Sequence, residues 1–563
     1  MLQRLGDELV RTGTATSEVV EAAVVEARRG HHRLGDMLLE RGVVNERDLY
    51  RALATIHELP FTDSEDLLTR IDPSLALAVP PRFQELHQVL PITLADGRLL
   101  VATSEPRIEV PELGAALGAR VVDQVVVTPT DLRRLRMALE LEQAGKQQQP
   151  VVSQRQAQDL LMSDPAATES ALRLLDELLL DAVAERASDI HVETYRGRAR
   201  VRIRVDGDLR DLKHYNLTDL QRLGLINVIK VRAGLDIAEH RLPQGGRFVT
   251  RSGKQVFDIR TQTQPCLHGE HVVMRLLPQD TNNLVGISEL GFPPQIAAIY
   301  RRLLDSPGGL ILVVGPTGSG KSTTLYAGLQ VLAADTSRKV ITVEDPIEYA
   351  LDGIQQTQVR PEIGFEFANA MRAFVREDPD VILVGEIRDG ETALEALRAS
   401  QTGHLVLSTL HCNDTVDAVQ RLIDLGMHPN SIGSELLAVF SQRLVRRICT
   451  ACREVATPPA DLVAEVFPAG VPDTMQFFHG KGCDHCHGSG CYGRIAAIEF
   501  LPASPELRVA ISRRATVDEL RGFALRAGLL PLREHALQLV REGVIPLEEL
   551  RTMLPPERLA PDR

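Results

Sequence analysis

The residues best suited to chemistry lie between Gly315 and His411. Gly315 to Ser322 reads GPTGSGKS and satisfies G-x-x-x-x-G-K-[ST]. Glycines at those positions let successive backbone N–H groups turn inward around phosphate oxygens. Lys321 can reach a β- or γ-phosphate as a mobile point charge, and the Ser322 hydroxyl can join the shell of a Mg²⁺ ion. Gly315, Pro316, Thr317, Gly318, Ser319, Gly320, Lys321 and Ser322, with Thr323 after them, are the candidate contacts for ATP and Mg²⁺. Glu386 follows the apolar run DVILVG, where a carboxylate can serve the Mg²⁺ shell. In TVEDPIEY, Glu344, Asp345 and Glu348 follow another apolar run, and a carboxylate there can orient or deprotonate the attacking water. Pro346 restricts Asp345 to extended backbone, so these carboxylates diverge, and the residue types leave open which one is the base.

His404 and His411 bracket the run LVLSTL, and either can contact a γ-phosphate and report its loss. A γ-phosphate transition state also asks for extra positive charge, often from another domain or subunit. Arg260, Arg275, Arg372, Arg376 and Arg388 are the candidates. Cys449, Cys452, Cys483 and Cys486 form two C-x-x-C pairs, a spacing suited to tetrahedral Zn²⁺ with no open position. His485 and His487 offer alternative ligands.

Those residues need a scaffold that gathers strand ends. GGLILVVG, KVITVE, DVILVGE and HLVLSTL are short apolar runs ending in glycine or polar residues, with helical segments between them. That pattern predicts a parallel α/β sheet with its site at the strand C-terminal ends. Before it, the helical stretch ESALRLLDELLLDAVAERA leads into the alternating strand RVRIRVDGDLRDL. Further upstream, VLPITLADGRLLVATSEP reads as two strands around an Asp-Gly turn. The polar stretch GKQQQPVVSQRQAQ reads as a linker.

Several segments in this order resemble the assembly ATPases of type II secretion and type IV pilus systems. They are ASDIHVE, RIRVDG, GLDIAEHRLPQGGR, GPTGSGKSTTLYAGL, TVEDPIEY, DPDVILVGEIRD, TGHLVLSTLH and QRLVRRIC. The resemblance implies an α/β multidomain chain: a RecA-like P-loop ATPase core, a PAS-like α+β domain before it, a zinc-binding insertion and a helical C-terminal tail. It implies that Glu348 is the base, that Glu386 serves the Mg²⁺ shell and that His411 is the γ-phosphate contact. Arg260 and Arg275 match clamp arginines of the PAS-like domain; Arg372, Arg376 and Arg388 match those of the core. Resemblance also implies a homo-hexamer that works with an inner-membrane assembly-platform protein and a membrane docking protein. The four-cysteine insertion is similar to that of assembly rather than retraction ATPases. The activity implied is ATP hydrolysis that powers pseudopilus assembly in type II secretion, with pilus extension as the alternative reading. Two positions depart from the family pattern, His271 in place of Lys or Arg and Cys491 in place of an aromatic.

The chain also repeats itself at its start: RLGDELVRTG from Arg4 and RLGDMLLERG from Arg33, each followed by a helical segment. This tandem resembles the cyclic-di-GMP-binding N-terminal domain of some secretion and pilus ATPases, with Arg4, Gly6, Gly13, Arg33, Gly35 and Gly42 as the matching residues. Ala27 and Ile56 stand where that pattern has Gln. Docking onto a membrane partner is the alternative use. The expected domains are an N-terminal helical/α+β domain over 1–136, a linker over 137–165, the PAS-like domain over 166–290, the ATPase core over 291–448, the zinc module over 449–495 and a helical region over 496–563.

Bulk properties agree. A formal net charge of −13 speaks against a nucleic-acid partner, and hence against a DNA or conjugation motor of similar core. No apolar run reaches about 18 residues, and the start lacks a signal-peptide core, so the expected location is cytoplasmic, attached to the inner membrane through partners.

Overall fold

The computed structural model describes residues 2–30, 34–106, 111–146, 165–196, 198–252, 255–279, 284–472 and 475–560. They fall into two units, Met1–Pro278 and Gln279–Arg563. In the first, the repeat folds as two helix pairs: α1 (Leu2–Arg11) with α2 (Ser17–Gly30), and α3 (Leu34–Glu40) with α4 (Glu46–Ile56). Leu5 and Leu9 of one copy and Leu34 and Leu38 of the other share one core. A Cβ on Gly6 would lie 2.6 Å from Val20, and one on Gly35 would lie 3.1 Å from Leu49, so both glycines admit a close helix crossing. Gly13 and Gly42 end α1 and α3 with φ of 73° and 64°, the left-handed stop that glycine accepts most readily. The four repeated glycines thus have structural duties. Arg4 is exposed, and Arg33 lies outside the described residues.

The Asp-Gly reading is realised as a hairpin of β1 (Val89–Ala95) and β2 (Arg98–Thr103), with φ of 52° at Asp96 and 76° at Gly97. β3 (Val121–Val126) pairs parallel to β2. The following helix, Pro129–Lys146, runs through the expected domain boundary at 136. Leu132, Leu135 and Leu139 pack with β1–β3, while Met137 and Leu141 pack with the next core, so one helix serves both. Residues 147–164 of the expected linker lie outside the described residues.

The next module is a six-stranded sheet of order β6-β5-β4-β9-β8-β7, all antiparallel. Its strands are β4 (Asp189–Tyr195), β5 (Arg198–Val205), β6 (Asp208–Asp211), β7 (Gln244–Ser252), β8 (Gln255–Cys266) and β9 (Gly269–Pro278). Alternation along β4 and β5 buries Ile190, Val192, Val201 and Ile203 in a core with Leu175 and Leu178 of helix Pro165–Ala184. The opposite face carries Arg260 directly across from Arg275. Glu270 is buried and pairs with Lys230 (2.6 Å) and His240 (2.5 Å). His271 instead faces Cys266 Sγ at 2.8 Å.

The second unit is built on a seven-stranded sheet of order β12-β11-β13-β14-β10-β15-β18. Its strands are β10 (Gly309–Val314), β11 (Val340–Glu344), β12 (Gln355–Gln358), β13 (Val381–Val384), β14 (Leu405–Leu410), β15 (Leu436–Ile448) and, after the hairpin β16 (Arg453–Ala456) and β17 (Phe477–Gly480), β18 (Cys491–Pro502). All pair parallel except β15 with β18. β10, β13 and β14 are buried along their whole length, as a sheet covered on both faces requires. Two expected boundaries shift. Ile287 and Leu290 pack with Ile311 and Val313 of β10, so the division falls after Pro278 rather than at 290. The division at 495 falls inside β18, whose pairing with β15 runs from Ala438↔Pro502 to Ile448↔Cys491, so this stretch belongs to the ATPase sheet. Helices Pro505–Ser512, Val517–Arg526, Leu532–Arg541 and Glu549–Met553 complete the tail.

Asp181 ties helix Pro129–Lys146 to helix Pro165–Ala184. It is 1% exposed and accepts from Arg133 (2.7 Å), Arg134 (3.3 Å), His214 (2.9 Å) and Tyr215 (3.0 Å). Burial alone would raise its carboxyl, but His214 and the two guanidiniums outweigh burial and hold it at about 2. Because the folded value lies below the unfolded one of about 3.9, this stabilisation is complete above that pH and is lost as pH falls toward 2. Asp181→Asn should cost about 1–3 kcal/mol, since it removes the charge from four hydrogen bonds while Arg133 keeps Glu177 (2.8 Å) and Arg134 keeps Glu185 (3.0 Å). Urea unfolding of parent and variant at pH 7 and pH 3 should show the gap shrinking at the lower pH; an equal gap would contradict the assignment.

Candidate active site

Parallel register places the phosphate loop, the Asp345 turn, Glu386 and His411 at a single edge. Gly309 pairs with Leu405 and Val314 with Leu410, so the loop after β10 emerges beside the residue after β14. Val343 pairs with Val384, which sets Asp345 near Glu386. His404 lies apart. It precedes β14, and its carbonyl accepts from Gly309 N–H at 3.1 Å. A six-residue strand separates it from the phosphate loop, about 20 Å at ~3.3 Å per residue. Its Nδ1 faces the Ala399 carbonyl (2.9 Å) and Thr402 Oγ1 (3.0 Å), which secures the end of helix Gly390–Gln401. The expectation that His404 contacts nucleotide is therefore corrected.

Gly315, Gly318 and Gly320 take φ of 146°, 75° and 88°, conformations that let the loop double back before helix Lys321–Ala333. The first turn of that helix presents N–H groups without intrahelical partners, a ready anion site. Lys321 Nζ donates to the carbonyls of Gly315 (2.9 Å) and Pro316 (3.0 Å). Burial draws its ammonium below the ordinary lysine value, against the opposing pull of Glu386. Ser322 and Thr323 are exposed at the loop's mouth, whereas Ser319 is buried. Gln442 of β15 clasps the loop from behind: its Nε2 donates to Ser319 O (2.7 Å), and its Oε1 accepts from Thr324 Oγ1 (2.9 Å). A Cβ on Gly315 would lie 2.6 Å from the Gln442 carbonyl, so this approach demands glycine. Gln442 opens the segment QRLVRRIC, yet nothing in that segment signals contact with a loop so far upstream.

Glu386 stands between two partners. Arg388 hydrogen-bonds one carboxylate oxygen, and His411 Nε2 lies 3.5 Å from the other. Arg388 also reaches Asp345 at 3.4 Å. The segment after His411 is fixed by Arg443 and Ser441, which donate to the Asn413 carbonyl, and by Arg521 and Arg558, each 2.7 Å from buried Asp414. Glu344 belongs to the interior. It accepts from Thr342 (2.6 Å), Gln356 (3.1 Å) and the Tyr326 hydroxyl, so it supports the turn rather than presenting a carboxylate to nucleotide. Glu348 lies at the half-exposed end of that turn.

The arginines divide. Arg388 is in the cluster. Arg372 is bound by Glu391 and Glu395 (3.3 Å) on helix Gly390–Gln401. Arg376 is exposed, with no side-chain partner among the described residues. Arg260 lies 3.9 Å from Asp258, and Arg275 lies 3.0 Å from Asp189, both in the first unit.

The four cysteines converge. Cys449–Cys483, Cys452–Cys486 and Cys483–Cys486 each have sulfurs 3.8 Å apart, and all four sulfurs lie within 4.8 Å of one another. Sulfurs bound at about 2.3 Å around a tetrahedral ion sit about 3.8 Å apart, far from the ~2.05 Å of a disulfide, so the set fits Zn²⁺. Burial opposes ionisation of Cys486, but backbone N–H groups of Cys483 and Gly490, each 3.2 Å from Sγ, bring it to about 7. The alternative ligand His485 stacks on Tyr492 instead.

Comparisons with known proteins give this geometry a family. The model described as "Type II/IV secretion system protein" matches residues 165–552. The chain belongs to that family. A MshEN domain model matches residues 57–145, beginning just after the second copy of the repeat. The type IV pilus assembly ATPase PilB of Myxococcus xanthus is 35% identical over 99% of this chain and 100% of its own length. PilB of Thermus thermophilus is 37% identical over 93% of this chain, which spans 59% of that relative. The type II secretion system ATPase E of Vibrio cholerae is 44% identical over 70% of this chain and 77% of its length. The DotB ATPase structure from Legionella pneumophila, at 23% identity, covers 68% of this chain and 95% of its own with a TM-score of 0.52. The second unit thus has the fold of a secretion ATPase, and the chain is an ATPase of this family.

One zinc per chain should be found by elemental analysis of purified protein. Cys452→Ser should abolish retention and lower the melting temperature by several degrees, as loss of a structural metal does. Metal-free parent protein with unchanged melting would contradict the site.

Proposed function

We propose that this chain hydrolyses ATP to drive the assembly of pilin-like subunits, as the motor of a type II secretion pseudopilus. The observation that carries this reading is the juxtaposition of Lys321, Glu386, Arg388 and His411 at one edge of a parallel sheet. Lys321 and the loop N–H groups hold the triphosphate, and Ser322 and Glu386 would hold Mg²⁺, which supplies charge neutralisation on the phosphates. Glu348 orients the attacking water and takes its proton. His411, beside Glu386, senses whether a γ-phosphate is present. Arg260 and Arg275, with Arg372 and Arg376, lie outside the Glu386 cluster and suit a role between subunits of a homo-hexamer. Work is delivered to an inner-membrane platform protein through membrane-bound partners. Zn²⁺ on the four cysteines stiffens the insertion beside β15 and β18.

A second reading, type IV pilus extension, is favoured by one observation. The Myxococcus xanthus relative that matches this chain from end to end is a pilus assembly ATPase.

The tandem repeat takes cyclic-di-GMP through Arg4, Gly6, Gly13, Arg33, Gly35 and Gly42, and this ligand tunes the motor. The MshEN domain model matches the residues that follow the repeat, 57–145. Calorimetry on the full chain should give saturable heat that Arg4→Ala abolishes; absence of heat would leave docking as the repeat's role.

Lys321→Ala, Glu348→Gln and Glu386→Gln should each lower kcat for ATP by about 10²-fold or more, the loss expected for positioning and base groups. Normal turnover in any of the three would remove that residue from the mechanism.

A further inference from the structure

We propose that Tyr326 is a positioning residue for hydrolysis: its hydroxyl holds the turn carrying Glu348 against the phosphate-loop helix. Tyr326 stands on the same helix as Lys321 and is 3% exposed. Its hydroxyl donates to Glu344. That bond commits the single phenolic proton, so the oxygen's lone pairs must face donors. Three surround it, the backbone N–H groups of Glu348 at 3.3 Å and Tyr349 at 3.4 Å and, more distantly, Gln356 Nε2 at 3.5 Å. Burial, with Glu344 beside it, pushes the phenol well above its ordinary range, so it remains a donor at neutral pH.

The rest of the network closes around this hydroxyl. Gln356 Nε2 donates to Glu344 (3.1 Å) and to the Tyr349 carbonyl (2.9 Å). The Tyr349 ring meets the Tyr326 ring edge-on, 5.7 Å between centroids. Neither backbone N–H bond to Tyr326 is short, and apo catalytic geometries commonly tighten only when substrate is bound. The consequence is mechanical. Lys321, which meets the phosphates, and Tyr326, which meets the base's own backbone, ride on one rigid helix. The distance from γ-phosphate to Glu348 is then set by that helix rather than by the flexibility of the turn.

This inference rests on Glu348 being the base, and its test keeps the two apart. Steady-state ATPase kinetics on the full chain compare parent, Tyr326→Phe, Glu348→Gln and the double variant. Phenylalanine keeps the ring contact and removes only the hydroxyl. The expected result is a fall in kcat of about 10-fold or more with KM for ATP within about two-fold, and a double variant no slower than Glu348→Gln, because losses through one group are not additive. Parental kcat in Tyr326→Phe alongside an inactive Glu348→Gln overturns the positioning role and leaves the base assignment standing. An active Glu348→Gln overturns both. A raised KM at unchanged kcat assigns Tyr326 to nucleotide binding and overturns the inference. Should Tyr326→Phe fail to fold, Gln356→Leu carries the test through the Tyr349 carbonyl. It should lower kcat in the same sense without changing KM, and parental kcat there would overturn the inference.

Discussion

Everything at the candidate active site depends on the parallel register of β10 with β14 and β15. A triphosphate must be met by backbone N–H groups, one lysine and the Mg²⁺-side carboxylate within a few ångströms. Only strands that run the same way deliver their following loops to one edge. Val314 opposite Leu410 brings the phosphate loop to His411, and Val343 opposite Val384 brings the Asp345 turn to Glu386. The loop itself is too glycine-rich to hold its shape unaided. Gln442 supplies what the glycines lack, joining β15 to the loop carbonyl of Ser319 and to the helix at Thr324.

Much of this was legible because local patterns carried it. The GPTGSGKS loop, the apolar strand runs, the Asp96-Gly97 turn and the paired C-x-x-C spacing each name a geometry that neighbouring residues enforce. Less legible were contacts between segments far apart in the chain. Gln442 and Tyr326 are ordinary residues of a strand and a helix, and their partners emerge only when the sheet is assembled. Glu344 carried the right chemistry in the right strand, but Tyr326, Thr342 and Gln356 draw it inward. His404 and His411 flank the same strand, and the rule that function gathers at strand C-terminal ends separates them once the strand's limits are known.

Boundaries failed for a physical reason as well. Composition marks where a chain turns polar, whereas cores are defined by what packs. Helix Pro129–Lys146 is polar enough beyond residue 136 to resemble a linker, yet Met137 and Leu141 pack against the next core. β18 continues out of the cysteine module because its partner, β15, leads into it. The N-terminal repeat shows the converse. Its recurring glycines invite a ligand, while the helix crossings at Val20 and Leu49 and the stops at Gly13 and Gly42 require them for the fold itself.

The central claim is that one nucleotide site per chain is assembled from four strand ends. Hydrogen exchange of the full chain with and without Mg²⁺ and a non-hydrolysable ATP analogue addresses it directly. The account predicts new protection in the phosphate loop at 315–323, the turn at 345–348, the segment at 385–388 and the backbone at His411, with none at His404. Protection confined to the first unit, or present at His404 and missing from the phosphate loop, would contradict it.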